Sequence, residues 1–300
     1  MNISIEDKFN IEVDENAVNS TISAIREKAK SRHEDKELLK KCFSLIDLTT
    51  LNSTDSIERG ELFAKRVNEL TKQYPDMPNV AAICVYPTLV SSVRENLTAK
   101  GVRIASVAAG FPASQTFIDI KLSECQMALS MGADELDVVI SLGYFLEGDY
   151  FTVYSELQQI KEIAGDAQVK VILETGAMPS LSDIRLASFL AMEAGADFIK
   201  TSTGKIDVAA TPEALLVMCE AAKEYHKKTG RMVGIKPAGG MVNSPDAVLF
   251  YSIVEEVLGQ QWLNNTWLRL GASRLADNLL SDIMGEKIQY FSASAKGASY

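Results

Sequence analysis

Charged residues occur inside three apolar, strand-like runs of the chain. Asp137 lies in ELDVVI, Lys200 in DFIKTST and Lys236 in MVGIKPA. Successive side chains of a strand point to opposite faces, so Asp137 turns inward if Leu136 and Val138 face the helices. The same alternation turns Lys200 inward, and Lys236 follows on the next strand. These runs therefore predict two lysines and a carboxylate that converge inside one barrel of strands.

A short internal repeat supports this placement. The segment GADELD begins at Gly132, and the segment GADFIK begins 63 residues later at Gly195. If both segments enter their strands in the same way, Asp137 and Lys200 take equivalent positions on two strands of the same sheet.

Two neighbouring buried lysines indicate amine chemistry. The pKa of a free lysine is about 10.4, but burial and a second ammonium group lower it by several units. One lysine could then attack a carbonyl to form a Schiff base, while the other lowers its pKa and Asp137 moves protons. The spacing leaves open which lysine is which. The structural alternative, an ion pair that only fills space, is less favoured because barrel cores normally hold branched apolar side chains.

Glycine-containing loops follow the last three predicted strands. Glycine lets backbone N–H groups approach an anion, and the last two loops of a barrel are its commonest phosphate site. One such loop is weak evidence, because tight turns use glycine in any case. Three together predict a phosphate cradle, and its candidate residues are Thr203, Gly204, Lys205, Gly239, Gly240 and Ser273.

Eight apolar runs, whose starts are separated by 23 to 36 residues, provide the elements that must position these side chains. They span residues 44–49, 80–86, 103–109, 135–140, 169–174, 197–203, 232–238 and 267–272. Each interval is long enough for a strand, a helix and their loops. The pattern predicts an α/β fold, a (β/α)8 TIM barrel with an N-terminal helical extension. The alternative, an open doubly wound sheet, lacks the GxGxxG motif after its first strand.

The predicted barrel occupies residues 44–290. Residues 1–43 form an N-terminal extension, in which residues 1–15 are expected to be flexible or to add an edge, and Arg26–Lys41 to form a solvated helix. Residues 291–300 are predicted to form a flexible tail, because residues 292–300 are small and polar up to Tyr300.

Composition excludes several classes of partner. Thirty basic and forty acidic residues give a net charge of −10, which argues against binding nucleic acid or an anionic membrane but allows a small phosphorylated substrate. The longest uncharged stretch has 17 residues with two prolines and predicts no membrane span. The four cysteines form no CxxC pair, and the acidic start is unlike a signal peptide. These features predict a cytoplasmic protein.

Six motifs and the C-terminal GASY resemble the deoxyribose-phosphate aldolase family, from about residue 41 to the end of the chain. The motifs are LIDLTTLN, AAICVYP, GADELDVV, KVILETG, GADFIKTSTGK and GIKPAGG. The resemblance implies that Lys200 is the Schiff-base lysine, Lys236 its pKa-lowering neighbour and Asp137 the proton relay. It also implies that Asp47 supports the lysine network and that the C-terminal tyrosine reaches into the site.

The implied reaction is the reversible cleavage of 2-deoxy-D-ribose 5-phosphate to D-glyceraldehyde 3-phosphate and acetaldehyde. It needs no metal or organic cofactor, because the iminium itself accepts the electron pair. The resemblance further places Cys84 beside the substrate pocket. Without the resemblance, Cys84 and Asp47 would both be interpreted as structural residues. Homo-oligomerisation is compatible with this interpretation.

Two positions depart from well-known bacterial members of the family. Met241-Val242 stands where those members have Val-Arg, and Arg274 stands where they have a second serine. The local charge is therefore unchanged, and we expect Arg274 to take over the binding of the phosphate; the alternative is that it only points to solvent. Two other functions remain open: a Schiff-base aldolase with a different acceptor, and a non-catalytic barrel that binds a sugar phosphate.

Overall fold

Eight parallel strands form a barrel in the computed structural model, which describes residues 5–292. The strands are β1 (Ile46–Thr49), β2 (Ala82–Val85), β3 (Arg103–Ala108), β4 (Glu135–Val139), β5 (Gln168–Ile172), β6 (Phe198–Lys200), β7 (Gly234–Lys236) and β8 (Leu270–Ala272). Strands β1 to β7 pair in chain order, and β8 pairs with β1. Two isolated bridges, Ile235–Leu268 and Ala238–Gly271, join β7 to β8. The predicted (β/α)8 barrel is therefore confirmed, and the doubly wound alternative is wrong.

Helices surround the barrel and precede it. They are α1 (Glu15–Ala29), α2 (Lys36–Phe43), α3 (Ile57–Gln73), α4 (Val90–Asn96), α5 (Ile118–Ser130), α6 (Leu142–Leu146), α7 (Tyr150–Ala164), α8 (Leu181–Glu193), α9 (Pro212–Thr229), α10 (Ser244–Leu258) and α11 (Arg274–Met284). Their ends follow local signals: Asp35 caps α2, and Thr211 caps α9 with Pro212 in the first turn. No helix within residues 5–292 is long and apolar enough to cross a membrane.

The N-terminal extension packs against the barrel helices from residue 5 onwards. Ile5 and Phe9 are buried, and the ring of Phe9 stacks on Phe189 with 4.2 Å between centroids. The expected flexible segment is therefore ordered over its described part, because distant aromatic partners bury it. The single solvated helix expected over Arg26–Lys41 is also wrong: α1 ends at Ala29, and α2 starts after the Asp35 cap.

The C-terminal segment is fixed as far as the structure describes it. The Asp277 carboxylate accepts hydrogen bonds from the backbone N–H groups of Tyr290, Phe291 and Ser292, at 2.8–3.0 Å. The side chain of Phe291 is buried, so the first two residues of the expected flexible tail are held in place. Residues 293–300, including Tyr300, lie outside the described part of the chain.

Candidate active site

Seven charged side chains meet inside the barrel, each no more than 3% exposed. We call them the interior cluster; they are Asp47, Glu135, Asp137, Lys170, Lys200, Lys236 and Arg269. Burial of so many charges is costly unless each has a counter-ion. Every member of the cluster does form an ion pair within it.

Asp137 lies at the centre of the interior cluster. Its Oδ2 atom accepts hydrogen bonds from Lys200 Nζ at 2.6 Å and Lys236 Nζ at 2.7 Å, and its Oδ1 atom accepts one from Lys170 Nζ at 3.1 Å. Burial opposes ionisation of this carboxyl, but the three ammonium groups outweigh it and hold the pKa of Asp137 well below its usual value. Asp137 is therefore a carboxylate in contact with three amines.

The three lysines have different numbers of carboxylate partners. Lys170 contacts three carboxylates, of which Glu135 is nearest at 2.5 Å, and Lys236 contacts Asp47 and Asp137 at 2.6 and 2.7 Å. Lys200 contacts Asp137 alone. Burial lowers the pKa of Lys200, and the Lys236 ammonium lowers it further against the attraction of Asp137. For Lys170 and Lys236, the carboxylates outweigh burial and raise the pKa.

The charge balance of the interior cluster favours the same lysine. The cluster contains four cationic side chains and three carboxylates. If one amine loses its proton, the buried group becomes neutral overall, which reduces the electrostatic cost of burial. Lys200 is the amine with the fewest carboxylate partners, so it gives up its proton most readily.

Strand register and small residues create the space for this arrangement. Lys200 on β6 pairs with Lys236 on β7, and Asp137 on β4 pairs with Lys170 on β5. Gly271 on β8 lies against Lys236: a Cβ at this position would lie 2.8 Å from the Cβ of Ala238 and 3.2 Å from Lys236 Cε. A larger residue there would clash with Ala238 and crowd the lysine.

Three members of the interior cluster were not found from the sequence. Lys170 lies between Val169 and Val171, and Arg269 lies between two leucines, so the alternation that identified Asp137 indicates both. The guanidinium of Arg269 donates to Asp47 Oδ1 and to Glu135 Oε1, each at 2.7 Å. These contacts join strands β1, β4 and β8 beneath the lysines.

A cavity of about 530 Å³ opens at the carboxyl ends of the strands, above the interior cluster. Of the three cluster lysines, only Lys200 lines it. All the loop residues predicted for phosphate binding line it as well: Thr203, Gly204, Lys205, Gly239, Gly240, Ser273 and Arg274. The structure therefore places the amine with the lowered pKa and the glycine loops in one cavity.

Positive φ angles bring the strand-seven loop close to the loop after β6. Gly239 and Gly240 have φ angles of +70° and +74°, in the region that favours glycine. A Cβ on Gly239 would lie 2.8 Å from the Cβ of Ala209, and one on Gly240 would lie 2.9 Å from the carbonyl oxygen of Ala210. Side chains at either glycine would therefore separate the two loops that border the cavity.

The loop after β6 is braced by a glutamate that sequence reasoning did not identify. Glu174 follows β5, is buried, and accepts hydrogen bonds from the Thr203 backbone N–H at 3.0 Å and from Thr203 Oγ1 at 2.6 Å. Lys205 Nζ donates to the carbonyl oxygen of Leu51 across the cavity opening. These bonds fix the position of the predicted phosphate loop.

One predicted site residue, Cys84, lies outside the cavity, and another, Tyr300, lies outside the described residues. Cys84 is fully buried and packs with Leu51, Ala105 and Val107, and it is not among the residues that line the cavity. Burial raises the pKa of its thiol, and Asp137 raises it further, so Cys84 is a neutral thiol next to the interior cluster. Tyr300 lies beyond residue 292, but Phe291 and Ser292, which lead towards it, line the cavity.

Comparison with known proteins identifies the class to which this barrel and its lysine cluster belong. The chain belongs to the DeoC/LacD family of aldolases, whose sequence model matches residues 42–261. It is thus an aldolase, a class I carbon–carbon lyase.

The particular relatives are deoxyribose-phosphate aldolases. The Homo sapiens enzyme is 39% identical over 272 residues, which cover 87% of this chain and 84% of that protein. The Mus musculus enzyme is 40% identical with the same coverage. Among solved structures, the deoxyribose phosphate aldolase from Aeropyrum pernix is similar with a TM-score of 0.65 and 27% identity, over 86% of this chain and 96% of that one.

Proposed function

We propose that the protein is a deoxyribose-phosphate aldolase that cleaves 2-deoxy-D-ribose 5-phosphate to D-glyceraldehyde 3-phosphate and acetaldehyde, a step in deoxyribonucleoside breakdown. The observation that carries the proposal is the position of Lys200. It is the one lysine of the interior cluster that reaches the cavity, and its pKa is lowered by burial and by Lys236. The names of the relatives support the choice of substrate.

In the proposed reaction, the neutral amine of Lys200 attacks C1 of the open-chain sugar, and loss of water gives an iminium ion. A base takes the proton of the C3 hydroxyl, the C2–C3 bond breaks, and its electron pair moves into the C1–C2 enamine. D-Glyceraldehyde 3-phosphate leaves, the enamine is protonated at C2, and hydrolysis releases acetaldehyde and the free amine.

The other members of the interior cluster prepare Lys200 for this reaction. Asp137, 2.6 Å from the amine, moves protons during carbinolamine formation and loss of water. Lys236 remains charged, since Asp47 and Asp137 raise its pKa, and its charge keeps the pKa of Lys200 low. Asp47 in turn holds Lys236 at 2.6 Å. The loops around Gly204, Gly239 and Ser273 bind the phosphate.

Two further parts of the proposal rest on resemblance. Tyr300 would deliver a proton to the enamine carbon. The described part of the chain ends at Ser292, which lines the cavity. We also propose that the chain forms homo-oligomers, because the structure from Aeropyrum pernix is described as tetrameric. Helix α5 exposes Ile120 and Met127 to solvent, which makes it a candidate contact surface.

Reductive trapping tests the proposed function most directly. Acetaldehyde and sodium borohydride should leave a stable ethyl group on Lys200, located by mass spectrometry of the digested protein. Lys200→Met should abolish the adduct and lower turnover by about 10⁴-fold or more, as expected on removal of a catalytic nucleophile. Lys65→Met, at an exposed lysine of α3, is the control and should react like the wild type.

The two other functions give different results in the same experiment. A barrel that only binds a sugar phosphate would give no adduct on Lys200. An aldolase with another acceptor would give the adduct, but a coupled assay would detect no D-glyceraldehyde 3-phosphate from 2-deoxyribose 5-phosphate. Trapping on Lys200 together with release of that product is the outcome that our proposal predicts.

A further inference from the structure

Arg59 is a cation in the cavity wall to which neither the sequence patterns nor the proposed reaction assigns a role. It lies in the first turn of α3, where its backbone N–H donates to Ser56 Oγ, the N-cap of the helix. Its side chain lines the same cavity as Lys200, Lys205 and Arg274.

Packing against an aromatic ring holds the Arg59 side chain. The guanidinium carbon lies 4.7 Å from the centroid of the Phe63 ring, one helical turn further along α3, and Phe63 is itself buried. Arg59 is half-buried as a result. A stacked guanidinium loses less conformational entropy on binding than a free side chain does, and its N–H donors remain available at the ring edge.

No counter-ion satisfies Arg59 within residues 5–292. No carboxylate there lies within ion-pairing distance of its guanidinium, and the guanidinium donates no hydrogen bond to these residues. The half-buried Arg32 and the buried Arg185, in contrast, each bind a glutamate at 2.6–2.7 Å. Arg59 also lies close enough to a second cation to repel it: burial lowers the pKa of Arg66, and Arg59 lowers it further. A partly desolvated cation in such a place favours an incoming anion.

We propose that Arg59 binds the phosphate group of the substrate and so selects phosphorylated over free sugars. A guanidinium presents paired N–H donors that match two phosphate oxygens, which a lysine cannot do. The proposal rests on the proposed function for the identity of the sugar phosphate. It differs from the glycine loops in kind, because those offer backbone N–H groups, whereas Arg59 offers a full charge from the helix that follows β1.

Steady-state kinetics with two sugars tests this role. Arg59→Gln should raise KM for 2-deoxyribose 5-phosphate by about ten- to a hundredfold, the range expected for a lost charge-assisted hydrogen bond. It should leave kcat/KM for unphosphorylated 2-deoxyribose unchanged. Arg59→Lys should give an intermediate KM. Arg26→Gln removes the same charge from the exposed side of α1 and should behave like the wild type with both sugars.

Several outcomes would overturn the proposal. An unchanged KM for the phosphorylated sugar would do so, and so would equal losses with both sugars, which would indicate a structural role for the stacked pair. If the wild type cleaves neither sugar, the proposed function fails, and titration with inorganic phosphate followed by ³¹P NMR decides the role of Arg59 separately. Weaker phosphate binding by Arg59→Gln than by Arg26→Gln would support the role, and equal binding would contradict it.

Discussion

The interior cluster and the opening of the cavity differ in whether their cationic side chains have carboxylate partners. Inside the barrel, every lysine and arginine of the cluster contacts at least one carboxylate. At the opening, Arg59, Lys205 and Arg274 line the cavity, and none of them forms an ion pair within residues 5–292. We call these three side chains the mouth cations. The interior thus balances its charge internally, whereas the mouth leaves positive charge for a ligand to balance.

This difference assigns separate tasks to the two regions. Buried ion pairs are protected from solvent and salt, so the interior cluster can hold a protonation state that bulk pH does not dictate. Cations at the opening are reached by solvent and screened by salt, and they stand apart from the buried lysines, but they can attract an anion. In the proposed function, the interior therefore determines which amine reacts, and the mouth determines which sugars bind.

Removing one carboxylate from the interior should have the largest effect on stability. Glu135 accepts hydrogen bonds from Lys170 at 2.5 Å and from Arg269 at 2.7 Å, and Glu135→Gln leaves both cations buried without full compensation. We expect the free energy of unfolding to fall by about 3–5 kcal/mol, as for other broken buried pairs. Urea denaturation at pH 7 measures this change.

The matched control is a glutamate outside the barrel. Glu61 pairs with Lys65 on the exposed surface of α3, and Glu61→Gln should cost about 1 kcal/mol or less. Similar small losses in both variants would show that the interior cluster tolerates charge imbalance. The contrast between the interior and the mouth would then have no energetic basis.

The sequence was sufficient to predict the barrel and part of its interior. Period-two alternation placed Asp137 and Lys200, and it also applies to Lys170 and Arg269, which our sequence reasoning did not include. Arg59 could not be predicted in this way, because a polar arginine near a helix start is typical of a solvated surface. Its role depends on where α3 stands relative to the strand-eight loop, and no local pattern reports that position.

Long-range packing was the other feature that local patterns missed. Phe9 stacks on Phe189, which is distant in the chain. The backbone N–H of Phe291 donates a hydrogen bond to the carboxylate of Asp277 and so fixes the start of the expected tail. Residue types near Phe9 are polar and charged, which is typical of a mobile extension. Only the complementary apolar surface on α8 and α9 makes its burial favourable.

Replacing the second lysine tests how the interior controls its nucleophile. Lys236→Met removes the ammonium group that lowers the pKa of Lys200 and leaves the attraction of Asp137 in place. The pKa of Lys200 should then rise, so less free amine exists at neutral pH. The pH at which borohydride trapping of acetaldehyde is half-maximal should move upward by about one unit, a tenfold change in free amine.

Lys236→Arg retains a cation beside Lys200 and should shift the profile less than Lys236→Met does. A folded Lys236→Met variant with the wild-type pH profile would show that burial alone lowers the pKa of Lys200. The second lysine would then serve only to balance Asp47 and Asp137.

The smallest effect should come from Arg274, the most solvent-exposed arginine at the mouth. It lines the cavity at the first position of α11 but is exposed, so its attraction to a phosphate is worth roughly 0.2–1 kcal/mol. Arg274→Ser should therefore raise KM for 2-deoxyribose 5-phosphate about two- to fivefold at low salt and leave KM for 2-deoxyribose unchanged. Because salt screens exposed charges, the difference from the wild type should shrink at about 1 M ionic strength. A rise in KM as large as that of Arg59→Gln would mean that burial does not decide how strongly each mouth cation binds the phosphate. An unchanged KM at low salt would mean that Arg274 only faces the solvent.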